Sequence, residues 1–254
     1  MPATPAPVTP DAAWAAVADV AGWMSRGQSD ALFAAAAAAP DDAQIVEIGS
    51  FQGRSTVVLA LAAPAHARIV AIDPHAGNDR GPQEIEGYIT EAEGDHQRFL
   101  ANLDRAGVAD RVTHIRKFSD AALGDVAGAI DVLYIDGAHR YAPARADIVA
   151  WGNRVNVSGR LLIHDSFSSI GVTLAILREL AFGRRFRYVG RARSLASYEA
   201  VPGGLAGRER VGNAVRQLAQ LGWFARNVAL KVLLSAGLGR VLARLGKEPP
   251  EWPY

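Results

Sequence analysis

The 254-residue chain carries 27 Lys and Arg against 26 Asp and Glu, and half of it is hydrophobic, enough for a sizeable buried core in a water-soluble protein. With no cysteine, it can have no disulfide, thiolate metal site or cysteine nucleophile, so any metal must rest on oxygen or imidazole. The formal charge of +1 hides a bias, because from Arg184 onward arginine dominates and acids are sparse.

The opening MPATPAPVTPD lacks the basic and apolar regions of a secretory signal, which predicts a flexible Pro-rich tail over residues 1–10 of a cytoplasmic protein. Two alanine-rich stretches, 12–24 and 28–39, have helical composition and precede the turn at Pro40-Asp41-Asp42. QIVEIG (44–49) then reads as a strand, and 54–63 as an amphipathic helix stopped by Pro64. The alternation continues with strand RIVAID (68–73), a long polar loop, helix 92–106, strands 111–116 and 131–136, helix 142–155, strand RLLIHD (160–165) and helix 172–182. RFRYV and SLASYEA follow as a hairpin. The pattern predicts an α/β, Rossmann-like, doubly wound and mostly parallel sheet over residues 11–201, with N-terminal cap helices and an antiparallel edge strand. Residues 202–254 read as a basic helical extension.

In such sheets ligands bind outside the carboxyl ends of the strands, and here those ends are polar. The first runs Glu47-Ile48-Gly49-Ser50-Phe51-Gln52-Gly53-Arg54-Ser55-Thr56. Its glycines permit a tight turn and a close approach of ligand to backbone, or simply shape the turn into the helix. The spacing is not GxGxxG, which tilts the reading away from a dinucleotide pyrophosphate and from a nicotinamide oxidoreductase. The second strand ends in Asp73, placed to accept hydrogen bonds from a ribose diol. Ser119-Asp120 follows the third strand, where it could touch an adenine or cap a helix.

The fourth strand ends in Asp136-Gly137-Ala138-His139-Arg140-Tyr141 and the fifth in His164-Asp165-Ser166. Two carboxylates brought together this way repel unless a cation or a shared proton lies between them. Oxygen ligation suits magnesium, manganese or calcium, and added imidazole admits iron or zinc. The alternative is that each Asp caps a helix and each His is a satisfied polar residue. His66, His96 and His114 read as surface or packing residues, whereas His75, Tyr141 and the loop 76–93 are candidates for contacts to an acceptor.

Taken in order, GWMSRGQSDALF, IVEIGSFQGRST, IVAIDPHAG, VLYIDGAHRYAPARADIVAW and SGRLLIHDSF resemble the class I S-adenosylmethionine-dependent methyltransferases, in the branch named methyltransferase family 24. The resemblance covers about residues 22–200 and includes metal-dependent sugar O-methyltransferases. It implies that Glu47, Gly49 and Gly53, with Ser50 and Ser55 in the same turn, shape the pocket for the methionine part of S-adenosylmethionine, and that Asp73 binds its ribose. Ser119 and Asp136 complete the cofactor set. The aspartate of D-x-x-H, here Asp136, becomes a ligand of a divalent cation such as magnesium or manganese, with Asp165 a second and His164 a third, and His139 becomes the general base. The chain departs from the pattern where some relatives carry adjacent acids, since it offers His164 before Asp165 and Ser166 after it, and where Val157-Ser158-Gly159-Arg160 replaces a Pro-Gly-Gly turn.

The implied reaction is methyl transfer to a hydroxyl of a sugar or related small molecule, a phenol or lipid-linked acceptor being alternatives. A non-catalytic nucleoside-binding protein with the same fold is the competing class. No base-flipping or target-reading motif points to nucleic acid. In the extension, LGWFARNVALKVLLSAGLGRVLARLG is apolar and helix-forming but interrupted by Arg226, Lys231, Arg240 and Arg244. It predicts either a helix packed on its own domain or a second subunit, or a peripheral segment at the inner face of a membrane.

Overall fold

The structure is a computed structural model that describes residues 8–76 and 88–237. Helix α1 (Pro10–Ala16) opens on Thr9, whose hydroxyl accepts the Ala12 N–H. The helical reading of 12–24 is corrected here: the chain leaves the helix at Val17 and reaches Gly22 at φ 149°, a conformation that L side chains rarely adopt. Helix α2 (Arg26–Ala37) then leads to β1 (Gln44–Ile48), α3 (Arg54–Ala62) and β2 (Arg68–Ile72). After α4 (Tyr88–Arg105) come β3 (Val112–Ile115), β4 (Ile130–Ile135) and α5 (Tyr141–Ala150).

The predicted helix 142–155 stops early, because Gly152–Arg154 tightens into a 3-10 turn and Val155 already begins β5 (Val155–Ile163). That strand runs through the Val157-Ser158-Gly159 segment read as a turn. Ser158 takes φ 65°, and a Cβ on Gly159 would come within 2.9 Å of the Asn156 carbonyl oxygen. The resulting bulge sits beside the register shift between β4 and β5. Helix α6 (Ile170–Ile176) continues as a π turn over Leu177–Ala181. The hairpin β6 (Phe186–Ala192) and β7 (Leu195–Ala200) follows, then α7 (Gly207–Leu218) and α8 (Leu221–Ser235).

The strands form one seven-stranded sheet in the order β3-β2-β1-β4-β5-β7-β6. The first five are parallel, and β7 joins β5 antiparallel, as the sequence pattern predicts. All five residues of β1 are buried because successive side chains enter opposite cores. Val46 and Ile48 face Trp151, Phe167 and the α5–α6 layer; Ile45 faces Leu32, Leu59 and Phe99 on the other side. Each large side chain fully buried in this way stabilises the fold by roughly 1.5–3 kcal/mol. Strand order reverses between β1 and β4, and the crevice this opens at their carboxyl ends is where a ligand binds in doubly wound sheets.

Beyond the sheet, α7 is fastened by buried Asn213, which accepts the Tyr188 N–H at 2.7 Å and donates to the Phe186 carbonyl at 3.2 Å. Helix α8 packs on the same domain through Asn227, which donates to the Phe167 carbonyl, and Lys231, which donates to the Ser168 carbonyl at 3.0 Å. Arg191 stacks over Trp223 at 3.8 Å. Among the described residues no helix is long and apolar enough to cross a membrane. Arg240, Arg244 and Lys247, like most of the loop 76–93 and of the N-terminal tail, lie outside the described residues.

Candidate active site

At the end of β1, Gly49 takes φ 87°, and a Cβ there would lie 2.3 Å from the backbone oxygen of Asp136. Only a residue without a side chain lets β1 and β4 close together at the crevice. Gly53, at φ 85°, starts α3. Between them Ser50 is buried, and its hydroxyl has no hydrogen-bond partner among the described residues. Such an orphaned donor fits a bound polar ligand.

Glu47 is wholly buried beneath this turn, its carboxyl held by the hydroxyls of Ser55 and Thr56. Burial pushes it up to about 8, against the opposing effect of those two hydroxyls. The Ser55 hydroxyl is thereby directed at Glu47. Asp73 accepts the Phe51 N–H on one oxygen at 2.8 Å and the His75 N–H on the other at 2.7 Å, so its carboxylate is fixed with lone pairs to spare. Ser119 donates its hydroxyl to Asp147 at 2.5 Å, and burial pushes that carboxyl up to about 6. Asp120 accepts the N–H of the next residue, Ala121, at 2.8 Å within a turn, and no helix follows before β4 for it to cap.

His75 is placed otherwise than the sequence suggests. Its ring is buried behind Asp73, with ring centroids 5.0 Å from His96, 5.1 Å from His114 and 5.6 Å from Phe99. Burial lowers His75 and pushes His114 down to about 4, as expected of imidazoles packed together neutral. An acceptor contact is therefore not available to His75, whereas Tyr141 is exposed at the start of α5.

At the other side of the crevice the parallel pairing of Ile135 with Ile163 brings Asp136 level with His164, and Asp165 follows one residue on. Asp136 accepts the Tyr134 hydroxyl at 2.9 Å. His139 Nε2 lies 2.5 Å from Asp165 Oδ2. His164, with its side chain 1% exposed, approaches from beneath, its Nδ1 3.2 Å from Asp136 Oδ1 and 3.7 Å from Asp165 Oδ2. Burial opposes charge on both partners, yet the imidazoles of His139 and His164 hold Asp165 well below the usual carboxylate range, and the two aspartates raise His164 to about 10. Asp165 and Phe167 both take φ 55°, a left-handed conformation rare for non-glycine residues and frequent at functional sites.

Ligating atoms of Asp136, His139 and Asp165 all lie within 4.8 Å of one another. Two carboxylates with an imidazole form a donor set suited to a divalent cation, and their mutual repulsion is a reason for one to be held there. Two further residues brace the loop that carries His139. Ser169 donates its hydroxyl to the His139 carbonyl at 3.2 Å, and a Cβ on Gly171 would lie 2.2 Å from that oxygen. Tyr134 could have been found from its place near the end of β4, two residues before Asp136, whereas Ser169 and Gly171 have no local signal.

A doubly wound sheet with a nucleoside-type half at β1 and β2 and an acidic half at β4 and β5 defines the class I methyltransferases, whose methyl donor is S-adenosylmethionine. Residues 46–166 match the family Methyltransf_24, described as a methyltransferase domain. Among solved structures, the O-methyltransferase NovP is similar at a TM-score of 0.55 and 13% identity, over 70% of this chain and 81% of that one. The O-methyltransferase TomG of Streptomyces achromogenes, involved in tomaymycin synthesis and solved with SAM, matches at 0.51 and 16%, over 76% and 89% of the two chains.

Proposed function

We propose that this methyltransferase moves the methyl group of S-adenosylmethionine to a hydroxyl of a sugar or related small molecule, assisted by a divalent cation such as magnesium or manganese. The observation that carries the reading is the convergence of Asp136, His139 and Asp165 within 4.8 Å at the strand ends beside the nucleoside half. Sugar-like acceptors follow from the family resemblance, and the similarity to NovP and TomG fits small-molecule O-methylation.

Gly49 and Gly53 bring backbone close to the methionine part of the cofactor, Ser50 offers its unused hydroxyl, and Asp73 accepts from the ribose. Asp136 and Asp165 would hold the cation, whose contribution when bound is to favour the alkoxide form of an otherwise poorly nucleophilic hydroxyl. His139 takes the hydroxyl proton on its imidazole, and Asp165 steadies the imidazolium that results. In-line approach to the sulfonium methyl leaves the chain with positioning and proton removal as its tasks.

Calorimetry tests the cofactor: S-adenosylhomocysteine should bind and NAD should not. A chelator then tests the cation. An unaffected wild-type rate would leave His139 to act with the carboxylates alone. Mass spectrometry of glycoconjugates from a strain lacking the protein, searched for the loss of one methyl group, identifies the acceptor. If the cofactor binds and no methyl group is lost from any pool, the protein binds nucleosides without catalysing transfer.

A further inference from the structure

Beneath the two carboxylates runs a buried polar chain that the chemistry above leaves without a role. Gln28 of α2 and Ser194 have no exposed surface, and His164 has 3%, so water does not complete their hydrogen bonds. The Gln28 side-chain oxygen accepts the Ser25 N–H at 2.7 Å. A backbone N–H can only donate, so this bond fixes which end of the amide is oxygen. Gln28 Nε2 is thereby turned to Ser194 Oγ at 3.0 Å and to Nε2 of His164 at 3.2 Å.

An amide NH2 cannot accept a hydrogen bond, so Nε2 of His164 meets it with a lone pair. The proton of the ring is then on Nδ1, the nitrogen that looks toward Asp136 and Asp165. With the proton on Nε2 instead, two N–H groups would face each other where no water can separate them, leaving a buried donor unsatisfied. A charged ring, which the two aspartates favour, also keeps a proton on Nδ1, so the Nδ1 assignment holds in either charge state, while the hydrogen bond from Gln28 belongs to the neutral ring. Nδ1 meets neither carboxylate in hydrogen-bond alignment, at 3.2 Å from Asp136 and 3.7 Å from Asp165.

We infer that Gln28 and His164 form a positioning pair, in which Gln28 holds His164 with its Nδ1 proton turned to Asp136 and Asp165, so that His164 orients the two carboxylates and is not itself a metal ligand. The inference revises the ligand set read from the sequence, because a ligating imidazole must offer a lone pair. It rests on the reading of Asp136 and Asp165 as a cation site, although the proton's position does not.

The test uses the full-length protein labelled with 15N in its histidines, with the His164 signal assigned by its loss in His164→Asn. Long-range proton–nitrogen correlation should find Nδ1 protonated, both before and after addition of Mg2+ or Zn2+. A bare Nδ1, or one that turns into a metal-ligated nitrogen with Zn2+, overturns the inference. Gln28→Glu keeps an oxygen for the Ser25 N–H and replaces the NH2 by an acceptor, so at a pH where the wild-type ring is neutral a proton should appear on Nε2; an Nε2 that stays bare there removes Gln28 from the pair.

Calorimetry with Mn2+ adds a second reading: His164→Ala should weaken binding by about tenfold or more, as outer partners of metal ligands commonly do. His164→Asn, whose amide can present an N–H in place of Nδ1, should recover most of it. Equal losses in the two variants would overturn the donor role. If wild type binds no Mn2+ while Nδ1 is protonated, the cation reading falls and the Gln28–His164 assignment stands.

Discussion

At the ends of β1 and β2 the acidic side chains are held by hydroxyls and backbone N–H groups, Glu47 by Ser55 and Thr56 and Asp73 by Phe51 and His75. At the ends of β4 and β5 Asp165 is held by imidazoles, and Asp136 by one imidazole and a phenol. The first arrangement keeps its geometry whatever ion is nearby, because neutral donors do not titrate. The second depends on protons, and its charges stand close enough for a cation to reorganise them. Cofactor binding and acceptor activation should therefore be separable by mutation.

The largest separation is expected at His139. His139→Ala should lower turnover by roughly a hundredfold or more, as for loss of a general base, while affinity for S-adenosylhomocysteine in calorimetry stays within error. Asp136→Asn and Asp165→Asn should raise the cation concentration needed for half-maximal rate. Loss of cofactor affinity in step with turnover would mean that the two halves are not independent. Asp73→Ala is the converse experiment: affinity should fall about tenfold, with the circular dichroism spectrum preserved, as the ribose loses an acceptor. An unchanged affinity would remove Asp73 from the site.

Gly171→Ala should come next in size. Its added methyl group would meet the His139 carbonyl at 2.2 Å and displace the loop, so turnover should fall about tenfold with cofactor affinity retained. Gly212→Ala, where nothing lies within 4 Å of the added carbon, is the control and should leave both unchanged.

A separate effect is on stability and leaves the comparison of the two halves untouched. Glu47 is raised to about 8 in the fold from an ordinary 4.5, so below 4.5 its carboxyl is protonated in both folded and unfolded chains. As pH rises from there the unfolded chain ionises first and stability is lost until about 8, beyond which the loss levels off. Glu47→Gln should flatten this slope in thermal melts, and a slope that persists would place its origin elsewhere, Asp147 being the next buried carboxyl.

The alternation of strands and helices, the antiparallel edge and the polar strand ends were legible because they depend on periodicity and on single residues at turns. Asp136 and Asp165 could be set together from sequence, since parallel neighbours bring their ends together. The fates of Ser55, Ser119 and His75 were not legible: their partners, Glu47, Asp147 and the imidazoles of His96 and His114, come from positions whose distance only the fold decides. Gln28 was visible within GWMSRGQSDALF, yet nothing local ties a glutamine near the start of a helix to a histidine 136 residues away. Helix ends were misplaced where the chain turned sooner than alanine-rich composition suggested, before Gly22 and at Gly152.

The left-handed backbone at Asp165 bears on how the protein can be improved or can drift. Glycine would relieve a conformational cost of about 1 kcal/mol or more there, and asparagine a part of it. Replacing Asp165 alone would also strip His139 and buried His164 of their shared carboxylate, so a screen that rewards only resistance to heat should collect that relief only in chains where the imidazoles change as well. Joint replacement of Asp165, His139 and His164 in a lineage, with the fold intact, would mark a descendant kept for some other purpose.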